Sequence, residues 1–510
     1  METATTWIQA ITCLALGFVM CWGITSLILK AAANREMAGR ARDFHHGHKR
    51  PIPRLGGIGI ISAFTGVTLA IFFSHPLATP VSGTLLVIVL TSLAMFALGF
   101  WDDLRPLGAK TKFLAQIAIA AAAYFGNIRI ELFKLPVSGI EIPLGLLGFV
   151  ATVFWLVSLS NLINLIDGID GLAGGICLML MFLMTNLGAQ DDLGFSVLLP
   201  IGVAGALLAF LKFNYPPAKI YMGDGAAYFL GFLIGVLSIV NSNKGTVAAA
   251  LIAPAFALAL PIVDVSLAVL RRGLRGLPIF RPDQKHIHHR LITLGISHEQ
   301  TLLNLYTVSL LCLFLAFGIF YLQGRLLPLY TGLLFLVLLI AGHLSGFTAN
   351  WFTIGSQLGK SLHLRKQTRY ALTLDRWFVL EAERANSLDD LWQDYRFVVQ
   401  KLGFAKVSIS LPAGTQHVWE IDGWVASSLS FWHTAHEISD GTVIDFIADK
   451  QLMSETEFGL LGDLASETWY KAVKRWHSTR QSRSVGLAPL ASSRLATIDS
   501  PEVQQPHSTT

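Results

Sequence analysis

Charge is what this sequence has least of. Asp, Glu, Lys and Arg make up only 14% of its 510 residues, against 53% from the apolar set AVILMFWYC. That composition excludes a disordered or collagen-like polymer and is too apolar for an ordinary soluble protein. Cysteine is scarce too. Cys13, Cys21, Cys177 and Cys312 all lie inside apolar runs without C-x-x-C spacing, which argues against a disulfide framework and against a cysteine zinc site. Lys+Arg number 38 and Asp+Glu 33, a net charge of +5. So small an excess suits cytoplasmic loops better than a nucleic-acid surface, and no nucleic acid is expected as a partner.

In place of charge there are long apolar runs, beginning near Trp7, Leu55, Leu85, Phe113, Leu146, Leu172, Phe195, Ala226, Thr246, Leu302 and Leu326. Crossing a bilayer takes about 20 apolar helical residues, because lipid offers the backbone no hydrogen-bond partner. The expected fold over residues 1–345 is therefore an all-α polytopic membrane protein of roughly 11 transmembrane helices. The first run, Trp7 to Leu29, outlasts the apolar core of a signal peptide and is followed by charges, not by a cleavage site. Those charges are Lys30, Arg35, Arg40, Arg42, Lys49, Arg50 and Arg54, and no Lys or Arg precedes the run. The positive-inside rule then puts the N-terminus outside. Counting spans forward places segments 30–54, 101–112, 161–171, 212–225 and 271–300 on the cytoplasmic face. Residues 128–143 alternate around Ser138-Gly139 and read as a small outer hairpin.

Charge returns at about Gly355. Residues 356–477 read as a soluble α+β domain, with an amphipathic helix over Trp377 to Phe404 and a strand over Lys406 to Leu411. Span parity puts this domain in the cytoplasm, and its ligand is unknown. Residues 478–510 are rich in Ser, Pro and Gln and are expected to be a disordered tail.

Nearly every unusual polar residue falls in the five cytoplasmic segments. Asp102 and Asp103 close the third apolar run; adjacent carboxylates at a membrane boundary are either a solvated pair or face a cation or a shared proton. Asn161, Asn164 and Asp167 recur every three residues and so stack on one helix face before Gly168, with Asp170 just beyond. Four such residues at the rim of a span are more than capping requires. Asn214 precedes Pro216-Pro217, and Asp224 sits between Gly223 and Gly225, where the backbone can approach a ligand closely. A carboxylate there suits Mg²⁺ with room left for phosphate. Finally, His286, His288, His289 and Arg290 crowd a basic loop. They suit a pyrophosphate; zinc is the rival, but without Cys or an H-E-x-x-H pattern. Together with Lys110, Lys112 and Lys219 these groups read as a phosphoryl-transfer site at a lipid interface.

In this order the motifs resemble the polyprenyl-phosphate N-acetylhexosamine-1-phosphate transferases of glycosyltransferase family 4. The residues that carry the likeness are Pro53-Arg54-Leu55-Gly56-Gly57, Asp102-Asp103 with Lys110, Lys112 and Gln116, the segment 161–171, Pro216 to Asp224, and His286 to Arg290. The likeness covers residues 1 to about 345. It implies transfer of N-acetylhexosamine-1-phosphate from a UDP-N-acetylhexosamine to undecaprenyl phosphate with release of UMP, in a bacterial inner membrane, with Mg²⁺ as cofactor and Mn²⁺ able to substitute. A homodimer is a further expectation. By position, Asp224 and Asp167 would hold the metal, while Asp102 or Asp103 would assist or deprotonate the lipid phosphate. Asn161, Asn164, Asp170, Asn214, His286, His288, His289 and Arg290 would bind substrate. The His-x-His-His-Arg-Leu form is similar to the branch that uses UDP-N-acetylglucosamine and less like the branch that uses the muramoyl-pentapeptide nucleotide. One departure stands out: Gly225-Ala226-Ala227 follow Asp224 where the family usually has a hydroxyl residue first. The segments Ser387 to Trp392 and Phe404 to Ile409 distantly resemble the opening of a GAF-like sensory domain. A transporter is the rival class, but its ionisable residues would lie at mid-bilayer depth. A membrane sensor with a decayed catalytic site is the other alternative.

Overall fold

The computed structural model describes residues 2–34, 52–74, 80–134, 140–189, 194–241, 247–277, 291–322, 326–344, 354–412, 414–421, 430–438 and 441–486. The chain divides into two compact units, Met1–Ser361 and Leu362–Thr510.

The first unit contains α1 (Glu2–Asn34), α2 (Gly56–Ser74), α3 (Pro80–Leu104), α4 (Ala109–Phe125), α5 (Leu146–Ile166), α6 (Leu172–Gly188), α7 (Phe195–Asn214), α8 (Gly223–Val240), α9 (Val247–Ala257), α10 (Ala259–Arg275), α11 (His298–Tyr321) and α12 (Leu327–Leu344). Among the described residues, α1, α2, α3, α5, α7, α8 and α11 are long and apolar enough to cross a membrane, and α6 and α12 are shorter apolar helices. Each of the eleven apolar runs is helical, but the ninth is broken at Leu258 into α9 and α10. Pro254 and Pro261 flank the break, and each removes an N–H that an unbroken helix needs. Between α4 and α5, β1 (Leu132–Lys134) pairs antiparallel with β2 (Glu141–Pro143), the hairpin expected from the alternation.

At the centre stands α8, whose residues from Gly225 to Val240 are all buried. It packs against α2, α3, α5, α6 and α9. Glycine sets these approaches. A Cβ on Gly231 would lie 2.3 Å from the Leu159 carbonyl oxygen, and one on Gly99 only 2.5 Å from that of Asp224. Where lipid removes the hydrophobic drive between helices, such close backbone packing is what holds them together.

The second unit has its own apolar core. Its sheet runs β4 (Gln416–Glu420), β3 (Lys406–Ser410), β6 (Val443–Asp449), β5 (Phe431–Glu437), with all neighbours antiparallel. Val407, Ile409, Ile444, Phe446 and Ala448 alternate onto one buried face. The core also takes in Phe378 of α13 (Ile354–Glu381), Tyr395 of α14 (Leu388–Lys401) and Trp469 of α15 (Glu455–Gly486). Two expectations are corrected here. The helix expected over Trp377 to Phe404 is two helices, because Ser387 caps a new one: its Oγ accepts from the Asp390 N–H at 3.0 Å, and Asp390 Oδ2 accepts from the Asn386 N–H at 3.0 Å. The expected disordered tail does not start at Ser478, since α15 continues to Gly486; residues 487–510 lie outside the described set.

Candidate active site

Residues 53–57 lie alongside the loop that precedes α8. The Tyr221 N–H donates to Pro53 O at 2.9 Å, and the N–H groups of Gly56 and Gly57 donate to Tyr221 O and Met222 O at 2.9 and 3.0 Å. Gly57 has no alternative, because a Cβ there would sit 2.9 Å from the Ala226 Cβ. This pairing delivers Arg54 to the start of α8. Gly223 then turns the chain into the helix at φ +81°, with Asp103 Oδ2 2.8 Å from where its Cβ would be.

Asp224 stands in the first turn of α8. The Asn164 amide, on the last turn of α5, donates to its Oδ1 at 3.1 Å. Asp102 reaches it from α3 within hydrogen-bonding range. Asp102 is itself buried and held from two sides: its Oδ2 takes a 2.9 Å ion pair from Lys112, and its Oδ1 accepts from the Leu107 N–H at 2.6 Å. Asp103 does different work, accepting from the Gly225 N–H at 3.2 Å and so capping an otherwise orphaned donor of α8. The missing hydroxyl at 225 also finds its reason. A Cβ there would lie 3.0 Å from Phe100 N and 3.2 Å from Phe100 Cα, too tight for the α3–α8 approach.

In front of this cluster lies a cleft lined by Arg54, Asp167, Gly168, Ile169, Asp170, Asn214, Tyr221, Gly223 and Asp224. Asp167 ends α5 and is half-buried. Burial, and after it the neighbouring charge of Asp224, push its carboxyl up to about 7. Burial and the Asp170 charge raise the Tyr221 phenol as well. Among the described residues, no three His, Cys, Asp or Glu side chains form a ready-made metal cage. Mg²⁺ does not need one, since it commonly takes one or two carboxylates and completes its shell with water and substrate phosphate. The donors here are all oxygen, and the mutual repulsion of Asp167 and Asp224 is what a divalent cation would relieve. These residues therefore fit Mg²⁺.

The sequence-predicted residues separate into layers. Asp167, Asp170, Asn214 and Asp224 line the cleft, while Asp102 and Asp103 stand behind Asp224. Asn214 is buried, and both ends of its amide hold backbone: Oδ1 accepts from the Gly171 N–H at 2.9 Å, and Nδ2 donates to Ile220 O at 2.8 Å. Asp170 Oδ2 accepts from the Ala218 N–H at 2.9 Å, tying the α5–α6 turn to the loop after α7. Asn161 does not stack toward the cleft with Asn164; its amide donates to Gln116 Oε1 at 2.7 Å and to Val157 O at 2.8 Å. His286, His288, His289 and Arg290 lie outside the described residues.

Residues 85–242 match the model of glycosyl transferase family 4. The chain is 32% identical over 264 residues to the probable undecaprenyl-phosphate N-acetylglucosaminyl 1-phosphate transferase of Bacillus subtilis (strain 168), covering 51% of this chain and 72% of that one. The chain belongs to the glycosyl transferase family 4 polyprenyl-phosphate hexosamine-1-phosphate transferases. It is also 30% identical over 293 residues to the decaprenyl-phosphate N-acetylglucosaminephosphotransferase of Mycobacterium tuberculosis (strain CDC 1551 / Oshkosh), covering 52% of this chain and 71% of that one. A phospho-N-acetylmuramoyl-pentapeptide-transferase of Staphylococcus saprophyticus is 30% identical over 284 residues, 52% of this chain and 84% of that one. This is thus a multi-pass membrane transferase of phospho-sugars.

Two cleft residues, Arg54 and Tyr221, are not among the site residues expected from the sequence. Arg54 counts in the sequence as one of seven cations that set orientation, yet it is the cation among the described lining residues. Its signal was its place in Pro53-Arg54-Leu55-Gly56-Gly57, where the paired glycines mark close backbone contact. Tyr221 carried no signal of its own; only the backbone pairing with Pro53 and Gly56 brings it to the cleft.

Proposed function

We propose that this transferase moves N-acetylglucosamine-1-phosphate from UDP-N-acetylglucosamine to undecaprenyl phosphate in a bacterial cytoplasmic membrane, starting a cell-envelope polysaccharide. An oxygen of the lipid phosphate attacks the sugar-bearing phosphorus of the nucleotide. The bond from that phosphorus to the oxygen bridging to the uridine-bearing phosphate breaks, and UMP leaves. The positive-inside count puts the N-terminus outside and the cleft and second unit on the cytoplasmic side. The observation that carries this reading is the convergence of Asp167, Asp170 and Asp224 with Arg54 in one cleft at the ends of apolar helices. The names of the two N-acetylglucosamine relatives support the donor.

Asp224 and Asp167 would hold Mg²⁺, which when bound supplies charge neutralisation for the two phosphates. Arg54 would grip a phosphate oxygen, as guanidinium does well. Asn164 keeps Asp224 aimed at the cleft. Asp103 fixes the start of α8, and Asp102 with Lys112 backs the Asp224 carboxylate, so both act as positioning residues in this arrangement. His286, His288, His289 and Arg290 would contact the sugar nucleotide. A phosphate monoester is largely ionised at pH 7, so orientation matters more for the attack than deprotonation.

The test is to incubate purified protein and Mg²⁺ with undecaprenyl phosphate and a panel of radiolabelled UDP-sugars. Labelled lipid from UDP-N-acetylglucosamine, with UMP released in equal amount, is expected. Preference for the muramoyl-pentapeptide nucleotide in direct competition would move the chain to the other branch.

A further inference from the structure

The part of α13 that lies in the second unit has two unlike sides. Leu364, Thr368, Ala371, Leu374 and Phe378 are buried, the last three in the core of the unit. The opposite side exposes Arg365, Lys366, Arg369 and Arg376, together with Tyr370 (48% exposed), Trp377 (37%) and Leu380 (64%). Among the described residues none of these four cations is in an ion pair. Of the acids nearby, Asp375 accepts from Thr468 at 2.8 Å and pairs with Lys471 at 3.4 Å, Glu381 faces Arg384, and Asp394 of α14 lies beside Glu381 at the far end of the strip. The strip continues onto α14, where Phe397 (43% exposed) stacks edge-on against Trp377 at 5.4 Å and Lys401 lies 5.6 Å over the Phe397 ring.

We infer that this face of α13 and α14 docks on an anionic phospholipid surface. A stripe of arginine and lysine flanking exposed Trp, Tyr, Phe and Leu is the chemistry that settles into a charged headgroup layer, the cations meeting lipid phosphate and the rings reaching the acyl boundary. The sequence also keeps the helix near lipid: nine residues separate Leu344, the end of an apolar helix, from Ile354, and nine residues extend at most about 30 Å. Charge selects the occupant, because an apolar partner protein would leave four unpaired cations at the rim, whereas a headgroup surface neutralises all of them. The inference goes beyond the transfer chemistry and does not depend on it.

The four native cysteines are buried, so a single introduced cysteine can be labelled in the full chain. A nitroxide at Leu380→Cys, with Leu452→Cys (82% exposed wild-type position) as reference, reports depth through collisions with oxygen and with an aqueous nickel complex. In vesicles of phosphatidylcholine with about 30% phosphatidylglycerol, the label at 380 should be shielded from nickel while that at 452 stays open. In pure phosphatidylcholine, or with Arg365→Gln, Lys366→Gln, Arg369→Gln and Arg376→Gln combined, nickel access at 380 should rise roughly tenfold toward the reference. Thermal unfolding of the combined variant guards against loss of fold, and Arg365→Lys, Arg369→Lys and Arg376→Lys together should keep the shielding. A label at 380 as open as that at 452 in anionic vesicles overturns the inference. So does shielding that ignores lipid charge and comes with spin–spin broadening, which would mean a second copy covers the face.

Discussion

The two units of this chain bury themselves by different rules. In the second, apolar means inside: Val407, Ile409, Ile444, Phe446 and Ala448 alternate with polar residues and all face the core. In the first, apolar residues lie on both sides: Leu146 is 92% exposed and Phe73 88%, while the interior is set by where glycine lets backbones touch. Water sorts side chains by polarity and lipid does not, so the membrane unit must be specified by shape and by its few polar groups.

The sharpest way to separate the units is to damage each by its own rule. Asp224→Asn should lower transfer about 10³-fold while the protein stays inserted and folded, because it removes charge from the cleft and leaves helix packing alone. Retained turnover in labelled-lipid assays would overturn the role proposed for Asp224. Phe446→Ala should cost the second unit about 3–5 kcal/mol in denaturant unfolding followed by Trp fluorescence, since the ring is fully buried against Phe404 and His436. A cost below about 1 kcal/mol would mean that this sheet face is not the core. Gly17→Ala places a Cβ 2.0 Å from the Gly202 carbonyl oxygen and should destabilise the α1–α7 pair by about 1–3 kcal/mol, whereas Leu146→Ala should stay within about 0.5. Thermal denaturation in one detergent compares the two, and equal effects would erase the contrast.

The pH dependence tests the polar side of the first unit. Asp167 titrates at about 7 in the fold and near 4 unfolded, so the folded state holds its proton more tightly. Its contribution to stability is fully present below about pH 4 and is lost as pH rises through 7. Without divalent cation, wild type should therefore lose stability across that window, and Asp167→Asn should flatten the loss; identical slopes would show that Asp167 is solvated. The smallest effect is expected from ending the chain at Ser361, which should leave turnover in detergent within about twofold, because the described cleft residues all belong to the first unit and each unit has its own core. Inactivity of a truncated protein that inserts normally would join the units functionally.

Much of this was legible beforehand, and for a physical reason in each case. Charge-free runs disclosed the helices because lipid tolerates little else, and Asp224 between two glycines marked a residue that the fold places in the cleft. The break at Leu258 needed Pro254 and Pro261 to be weighed against a run that reads as continuous. Ser387 with Asp390 is a capping signal in the sequence, yet apolar spacing across it suggested one helix. Asn161 and Asn164, three residues apart, look equivalent along the chain; a helical offset of about 300° and different neighbours send one to Gln116 and the other to Asp224.

The sequence by itself determined the class of this protein, the helical segments, and the acids and amides from which a phosphate site could be built, because composition and period act locally. Only the tertiary structure decided which of those groups share the cleft. Asp102 turned to Lys112, Asp103 to the start of α8, and Arg54 into the cleft through backbone pairing 167 residues away in the chain (Arg54 to Tyr221). Such choices depend on close approaches between distant helices, permitted by Gly57, Gly99 and Gly225, and no local pattern records which glycines will face each other.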